Sequence, residues 1–232
     1  MGGRTGDFFR KKPKRIRLPD VDPDTLVGGV REFRLLEPLS RDGNVSLLEL
    51  AVLAGFSAQT QPGVIFEIGT FDGRSVLNLL ANAPLESRLW TLDLPASQLG
   101  QTAFAVETTE QKYISKAVSG ARIRGTTWQT RTTFLQGDSG NFDFIPYYGR
   151  CDIVFVDGSH AASYVRHDAE TAWKLWSKTR GGILFHDYDN HNWPGVSQVL
   201  EALAQSSGPY RELHRIRGTS LAGIWNLGQS QS

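Results

Sequence analysis

The chain has 232 residues, of which 40% are hydrophobic, and its 25 basic and 24 acidic residues leave a net charge of +1. This length suits one large domain with a small appendage around a single core. No apolar run approaches the roughly 20 residues of a membrane-spanning helix, and the first residues lack the apolar stretch of a secretory signal. The only cysteine, Cys151, excludes an internal disulfide. We therefore expect a globular, cytoplasmic protein without a membrane partner.

Basic residues are concentrated near the amino terminus. Six of them crowd one short segment, namely Arg10, Lys11, Lys12, Lys14, Arg15 and Arg17. Such an arm can bind nucleic acid, but a run of charge alone carries little specificity, so we do not expect nucleic acid as a partner. Three prolines interrupt the stretch up to about Leu26, which is typical of an arm or linker. We predict a basic extension over residues 1–45 and the main domain over residues 46–232.

From Ser46 onward, the hydrophobic pattern alternates between helices and strands. In chain order, helices are predicted over 46–58, 74–82, 105–118, 164–176 and 194–204. Strands are predicted over 64–68, 89–92, 132–135, 153–156 and 183–185. Two short apolar runs between 211 and 227 predict a closing hairpin. Five cycles of strand and helix followed by two paired strands indicate an α/β fold, a doubly wound sheet of seven strands with an antiparallel hairpin strand at the carboxyl terminus.

The first predicted strand contains an acid and leads into a glycine-rich turn. Glu67 is costly inside a buried strand unless it receives hydrogen bonds, which a cationic or hydroxyl-rich ligand would supply. Gly69 and Gly73 permit a tight turn and let a ligand approach the backbone. The next helix begins near Arg74, so its free N–H groups would face that ligand.

Acids also end the next two predicted strands. Asp93 ends the second, at a position where an acid accepts hydrogen bonds from ribose hydroxyls in nucleotide-binding sheets. Asp138, with Ser139 beside it, follows the third and can reach an adenine amino group. Each acid alone could simply cap a helix, but acids at several successive strand ends favour a ligand site.

Acid and imidazole follow the last two predicted parallel strands. These residues are Asp157 and His160 after 153–156, and His186 and Asp187 after 183–185. Uninterrupted apolar runs of this kind are typical of buried parallel strands, whose carboxyl ends meet where open α/β sheets bind ligands. The sequence therefore predicts a reaction site at this edge.

In this order, the motifs resemble class I S-adenosylmethionine-dependent methyltransferases. They are Glu67-x-Gly69-x-x-x-Gly73, the strand end at Asp93, Gln136-Gly-Asp-Ser139, Val156-Asp-Gly-Ser-His160 and His186-Asp-Tyr188. The chain is most similar to the bacterial small-molecule O-methyltransferases, which include metal-dependent macrocin and catechol types. The resemblance covers about residues 62–190. It implies a Rossmann-like fold, S-adenosylmethionine as cofactor, and the hydroxyl of a small molecule, such as a natural product or sugar, as acceptor.

The resemblance also assigns roles at the cofactor end. The residues implied to bind the cofactor are Glu67, Gly69, Thr70, Gly73, Ser75, Asp93, Asp138 and Ser139. Glu67, Gly69 and Gly73, at the end of the first strand, would line its methionine and ribose part. Asp93 would hold the ribose, and Asp138 and Ser139 would bind the adenine.

A hydroxyl group is a poor nucleophile at neutral pH, so the acceptor needs a base or a metal ion. We predict His160 as the general base, because it lies three residues after Asp157 at the same edge. Metal-dependent relatives place carboxylates where Asp157 and Asp187 stand, and these two would hold either a divalent ion or the acceptor's hydroxyls. We predict His186 as the third ligand, and the alternatives are His160, Asp189 and Asn190. An oxygen-only shell would favour Mg²⁺, whereas a shell with histidine would also accept Mn²⁺, Fe²⁺ or Zn²⁺.

Two other classes of protein stay open at this point. Asp93 would also suit the ribose of a nicotinamide cofactor in an NAD-dependent oxidoreductase, although the turn after Gly69 lacks the third glycine of that motif. A non-catalytic, methyltransferase-like module could bind RNA or protein through the basic arm. An extra amino-terminal segment is also compatible with a homo-oligomer.

Overall fold

The computed structural model describes residues 15–227, which form one eight-stranded sheet with α-helices on both faces. The strands are β1 Asp20–Val21, β2 Val64–Ile68, β3 Arg88–Asp93, β4 Thr132–Gln136, β5 Ile153–Val156, β6 Gly181–Phe185, β7 His214–Ile216 and β8 Ala222–Asn226. The helices are α1 Asp24–Val27, α2 Leu47–Thr60, α3 Arg74–Ala81, α4 Gln111–Ile114, α5 Ala162–Leu175 and α6 Pro194–Gln205.

The strand order is β1-β7-β8-β6-β5-β2-β3-β4. All neighbouring strands run parallel except β8, which runs antiparallel to both β6 and β7. This order confirms the Rossmann-like, doubly wound sheet and its carboxyl-terminal hairpin. It also places the ends of β4, β3, β2, β5 and β6 side by side.

Residues on alternate sides of each central strand pack into two separate layers. Phe66 contacts the apolar layer below α5 and α6, whereas Ile65 contacts the layer formed by α2 and α3. The two-residue period of a strand explains why consecutive residues enter opposite layers. Both faces of the central sheet are therefore covered by helices. The carboxyl ends of its parallel strands are the place where a ligand can bind.

The amino-terminal stretch differs from the predicted arm where it is described. Val21 in β1 pairs with Ile216 in β7, and Leu18 and Leu26 are buried. The prediction of seven strands and of a linker up to Leu26 is therefore wrong for β1 and α1. A two-residue strand is too short to show a periodic pattern. Of the six basic residues, Arg10, Lys11, Lys12 and Lys14 lie outside the described residues, and the division at residue 45 stays a prediction.

The helix predicted over 105–118 is much shorter in the structure. A 3₁₀ turn over Thr108–Glu110 leads into the four residues of α4. Polar contacts hold this segment, because Lys112 and Tyr113 both bind Asp42. No helix of the described residues is long and apolar enough to cross a membrane.

Candidate active site

A cavity of about 540 Å³ opens at the carboxyl ends of the five central parallel strands. Residues from β3 and β4 line one end of it, and these include Asp93, Gly137 and Ser139. Residues from β5 and β6 line the other end, and these include Asp157, His160, His186 and Asp187. The strand ends therefore converge on one cleft, as the sequence predicts.

The turn after β2 depends on a glycine at its first position. Gly69 has a φ of +97°, and a Cβ atom there would lie 2.0 Å from the carbonyl oxygen of Asp157. Its N–H donates to the carbonyl of Leu92 at 2.9 Å. The backbone that follows β2 is thus in direct contact with the end of β3 and with the residue after β5 at the centre of the cleft, where any side chain would separate them. Gly73, with a φ of +84°, is the N-cap residue that precedes α3.

Glu67 lies behind this turn and is fully buried. It accepts hydrogen bonds from the Ser75 hydroxyl and from Thr91 Oγ1, the latter at 2.7 Å. Thr70 and Thr91 share a further hydroxyl hydrogen bond of 2.6 Å. Burial raises the pKa of Glu67 to about 8, in spite of the two hydroxyl donors. The hydrogen bonds expected from a ligand thus come from the protein itself.

Replacing Glu67 with glutamine is expected to flatten the pH dependence of stability. Between pH 4.5 and 8 the buried carboxyl holds a proton that the unfolded chain has released, so the free energy of unfolding falls as pH rises, by up to roughly 1.4 kcal/mol per pH unit. Urea unfolding at pH 6 and pH 8 would measure this slope, and Glu67→Gln should reduce the difference by roughly 2 kcal/mol. The exposed Glu86→Gln is the matched control. Equal slopes in Glu67→Gln and the parent protein would contradict the prediction.

The acids after β3 and β4 have different surroundings. Asp93 lines the cavity and pairs with Lys116, whose Nζ lies 2.7 Å from Asp93 Oδ2. Asp138 instead accepts hydrogen bonds from the N–H of Ala103 at 2.6 Å and from the Tyr164 hydroxyl at 2.7 Å. Its carboxylate therefore holds the segment between β3 and β4 in place and is not among the groups found to line the cavity. At this strand end it is Ser139 that faces the cavity.

Asp157, His186 and Asp187 form a compact group at the other end of the cavity. His186 Nδ1 lies 3.0 Å from Asp157 Oδ1 and 3.1 Å from Asp187 Oδ2. One ligand atom from each residue lies within 4.8 Å of those of the other two, a spacing that could hold one metal ion. Asp187 also has a φ of +62°, a left-handed conformation that is uncommon outside glycine and often marks functional sites.

Glu49 supports this group from α2, and sequence reasoning missed it. Glu49 Oε2 lies 3.3 Å from His186 Nε2, and Oε1 accepts the Ser220 N–H at 2.7 Å. Burial opposes protonation of His186, but the surrounding carboxylates raise its pKa well above the usual value. Because Glu49 engages Nε2, Nδ1 is the nitrogen left facing the two aspartates. A local signal existed, since Ser46 and Glu49 form the capping box of α2.

His160 lies between two carboxylates. Its Nδ1 is 2.6 Å from Glu110 Oε1, and its Nε2 is 2.8 Å from Asp187 Oδ2. The Trp193 ring stacks on the imidazole at 4.2 Å with an interplanar angle of 14°. Burial opposes protonation, but hydrogen bonds to Asp187 and Glu110 outweigh it and raise the pKa of His160 to about 9. These contacts favour the protonated form of the predicted base, and Nε2 must be without a proton when it accepts one from a substrate.

The chain belongs to a methyltransferase family. The family model described as a methyltransferase domain matches residues 66–188, more than half of the chain. The family predicted from the motifs is thereby confirmed. None of the curated protein sequences compared with the chain is a match.

Solved structures with a similar fold include two methyltransferases. One is the SAH-bound methyltransferase PaMTH1 from Podospora anserina, with 17% identity over 80% of this chain and 81% of that one and a TM-score of 0.54. The other is the O-methyltransferase from Bacillus cereus in complex with SAH, with 16% identity over 80% of this chain and 84% of that one and a TM-score of 0.51. At these identities the likeness shows a shared fold.

Proposed function

We propose that the protein transfers the methyl group of S-adenosylmethionine to a hydroxyl group of a small molecule. The observation that carries the proposal is the single cleft that has ribose- and adenine-type positions at one end and the group of Asp157, His186 and Asp187 at the other. Membership of the methyltransferase family supports it, as do the SAH molecules in the two relatives of similar fold. Nothing in the site or the comparisons favours the nicotinamide-dependent or the non-catalytic alternative.

The cofactor would lie across the ends of β2, β3 and β4. Gly69 and Thr70 would leave room beside the backbone for its methionine part, and Gly73 supplies the left-handed turn that precedes α3. Asp93 would accept hydrogen bonds from the ribose in place of Lys116. Ser139 would contact the adenine, whereas Asp138, Glu67 and Ser75 act from behind the cavity wall by holding its shape.

Replacing Asp93 with asparagine is expected to weaken binding of S-adenosylhomocysteine at least tenfold. The amide would lose charge-assisted hydrogen bonds to the ribose, each of which contributes roughly 1.5–3 kcal/mol. Isothermal titration calorimetry with S-adenosylhomocysteine measures the affinity. Asp143→Asn, on the loop after β4, is the control. Absence of S-adenosylhomocysteine binding to the unmodified protein would overturn the proposed function itself.

The acceptor end fits a divalent cation. Two carboxylates and one imidazole nitrogen converge there, and Glu49 orients the imidazole through its other nitrogen, an arrangement common around metal-bound histidines. We propose that Asp157, His186 and Asp187 hold the ion, and the nitrogen ligand favours Mn²⁺ over Mg²⁺. When bound, the ion would lower the pKa of an acceptor hydroxyl.

His160 is the proposed acceptor of the hydroxyl proton. Its Nε2 faces Asp187, so a hydroxyl bound beside that carboxylate would lie within reach of the ring. Trp193, stacked on the imidazole, covers one face of it. The nature of the acceptor, the oligomeric state and the cellular location stay predictions.

A further inference from the structure

Glu110 is a buried carboxylate that has no assigned role in the proposed reaction. It ends the 3₁₀ turn before α4, in the long segment between β3 and β4, and is only 3% exposed. Burying a charged side chain is costly unless its oxygens are hydrogen-bonded. Its partners should therefore show what keeps it there.

Within the described part of the chain, the Glu110 carboxylate makes its hydrogen bonds to Ser159 and His160, in the loop after β5. Oε1 accepts from the backbone N–H of His160 at 2.5 Å and lies 2.6 Å from His160 Nδ1. Oε2 accepts from the Ser159 hydroxyl at 2.9 Å. These bonds join a loop of the cavity wall to the candidate catalytic histidine.

The bond to Nδ1 determines which nitrogen of His160 faces the acceptor. An ionised carboxylate can only accept, so Nδ1 must carry a proton. With Nδ1 engaged by Glu110 and one ring face against Trp193, rotation of the imidazole is blocked, and Nε2 is directed at Asp187. A carboxylate that orients an imidazole in this way is a recurring arrangement in enzymes that use histidine as a base.

We propose that Glu110 is a positioning residue that fixes the ring orientation and the protonated nitrogen of His160, leaving Nε2 as the nitrogen that serves the acceptor. The proposal rests on the proposed function for its chemical meaning. The contact itself can be tested without an acceptor.

The test is the NMR signal of the His160 Nδ1 proton in ¹⁵N-histidine-labelled protein, assigned by its loss in His160→Gln. We expect a downfield, slowly exchanging resonance in the parent protein and its loss in Glu110→Ala. Glu110→Gln, which keeps an accepting oxygen without the charge, should retain the resonance at a position shifted upfield. Glu107→Ala, an exposed acid on the same turn, is the control and should leave the resonance unchanged.

Circular dichroism and titration with S-adenosylhomocysteine would accompany these spectra. A folded Glu110→Ala with an unchanged resonance would overturn the proposal, and if this variant does not fold, an unshifted resonance in Glu110→Gln would do so. Because the carboxylate of Glu110 bonds to Ser159 and His160 and not to Asp93, we expect the affinity for S-adenosylhomocysteine to change less than threefold. If the parent protein did not bind S-adenosylhomocysteine, the proposed function would be contradicted. The NMR result on the contact between Glu110 and His160 could still be interpreted.

Discussion

Replacing Asp187 with asparagine is expected to lower the affinity of the protein for Mn²⁺ by roughly 100-fold or more. Loss of a residue that merely orients a metal ligand typically costs 10–100-fold, and loss of a ligand should cost at least as much. The variant should also lose methyl transfer, because Asp187 contacts both His160 and His186. Asparagine adopts the left-handed conformation of this position more readily than most residues, so the fold should be kept. Titration of Mn²⁺ into the cofactor-free protein measures the effect directly.

Asp189 provides a matched control two residues away. It has the same φ of +62°, but its carboxylate pairs with Arg15, Arg17 and Arg215 and does not face the cavity. Asp189→Asn should therefore keep the affinity for Mn²⁺ within about threefold. If Asp187→Asn and Asp189→Asn bound Mn²⁺ as tightly as the parent protein, the group would not be a metal site, and Asp157 and Asp187 would remain candidates for binding the acceptor's hydroxyls.

The sequence predicted the part of the site that the sheet itself positions. The strand bounds over 64–68 and 153–156 agree residue for residue with β2 and β5, because each is a run of apolar residues, interrupted in β2 by Glu67, between turn-forming or polar residues. Once these runs are parallel neighbours, their carboxyl ends must share an edge. Strands β5 and β6 are likewise parallel neighbours, so the same rule brings Asp157 and Asp187 together at their carboxyl ends.

The groups that surround those residues could not be predicted in the same way. These groups come from a helix and from the long segment between β3 and β4. They form the pairs Glu49 with His186, Glu110 with His160, and Lys116 with Asp93. The distance along the sequence between the members of a pair contains no information on their contact. The capping box of Ser46 and Glu49 marks where α2 begins, but it does not indicate that Glu49 also reaches His186. Asp138 is the opposite case. Its place after β4 was predicted, but its side chain binds Ala103 in the segment between β3 and β4 and does not face the cavity.

Replacing Gly69 with alanine is expected to destabilise the protein severely and to abolish binding of S-adenosylhomocysteine. The new Cβ would lie 2.0 Å from the carbonyl oxygen of Asp157, which is backbone and cannot rotate away. The strands β2 and β5 would have to separate at the point where the proposed cofactor and acceptor sites meet. Overpacking a well-packed core typically costs 1–3 kcal/mol, and the strain of a positive φ adds roughly 1 kcal/mol. Urea unfolding should show a loss of about 3 kcal/mol or more.

Alanine variants of two other glycines are controls that distinguish the effect of the steric clash from that of the backbone strain. Gly125 has a φ of +78° and Gly100 carries no positive φ, and a Cβ atom at either would meet no atom within 4 Å. Gly125→Ala should therefore lose roughly 1 kcal/mol of stability and Gly100→Ala almost none, and both should bind S-adenosylhomocysteine normally. If Gly69→Ala lost no more stability than Gly125→Ala and still bound the ligand, the close contact between the ends of β2 and β5 would not shape the cleft. A folded Gly69→Ala that does not bind would instead show that this contact serves the cofactor site more than the fold.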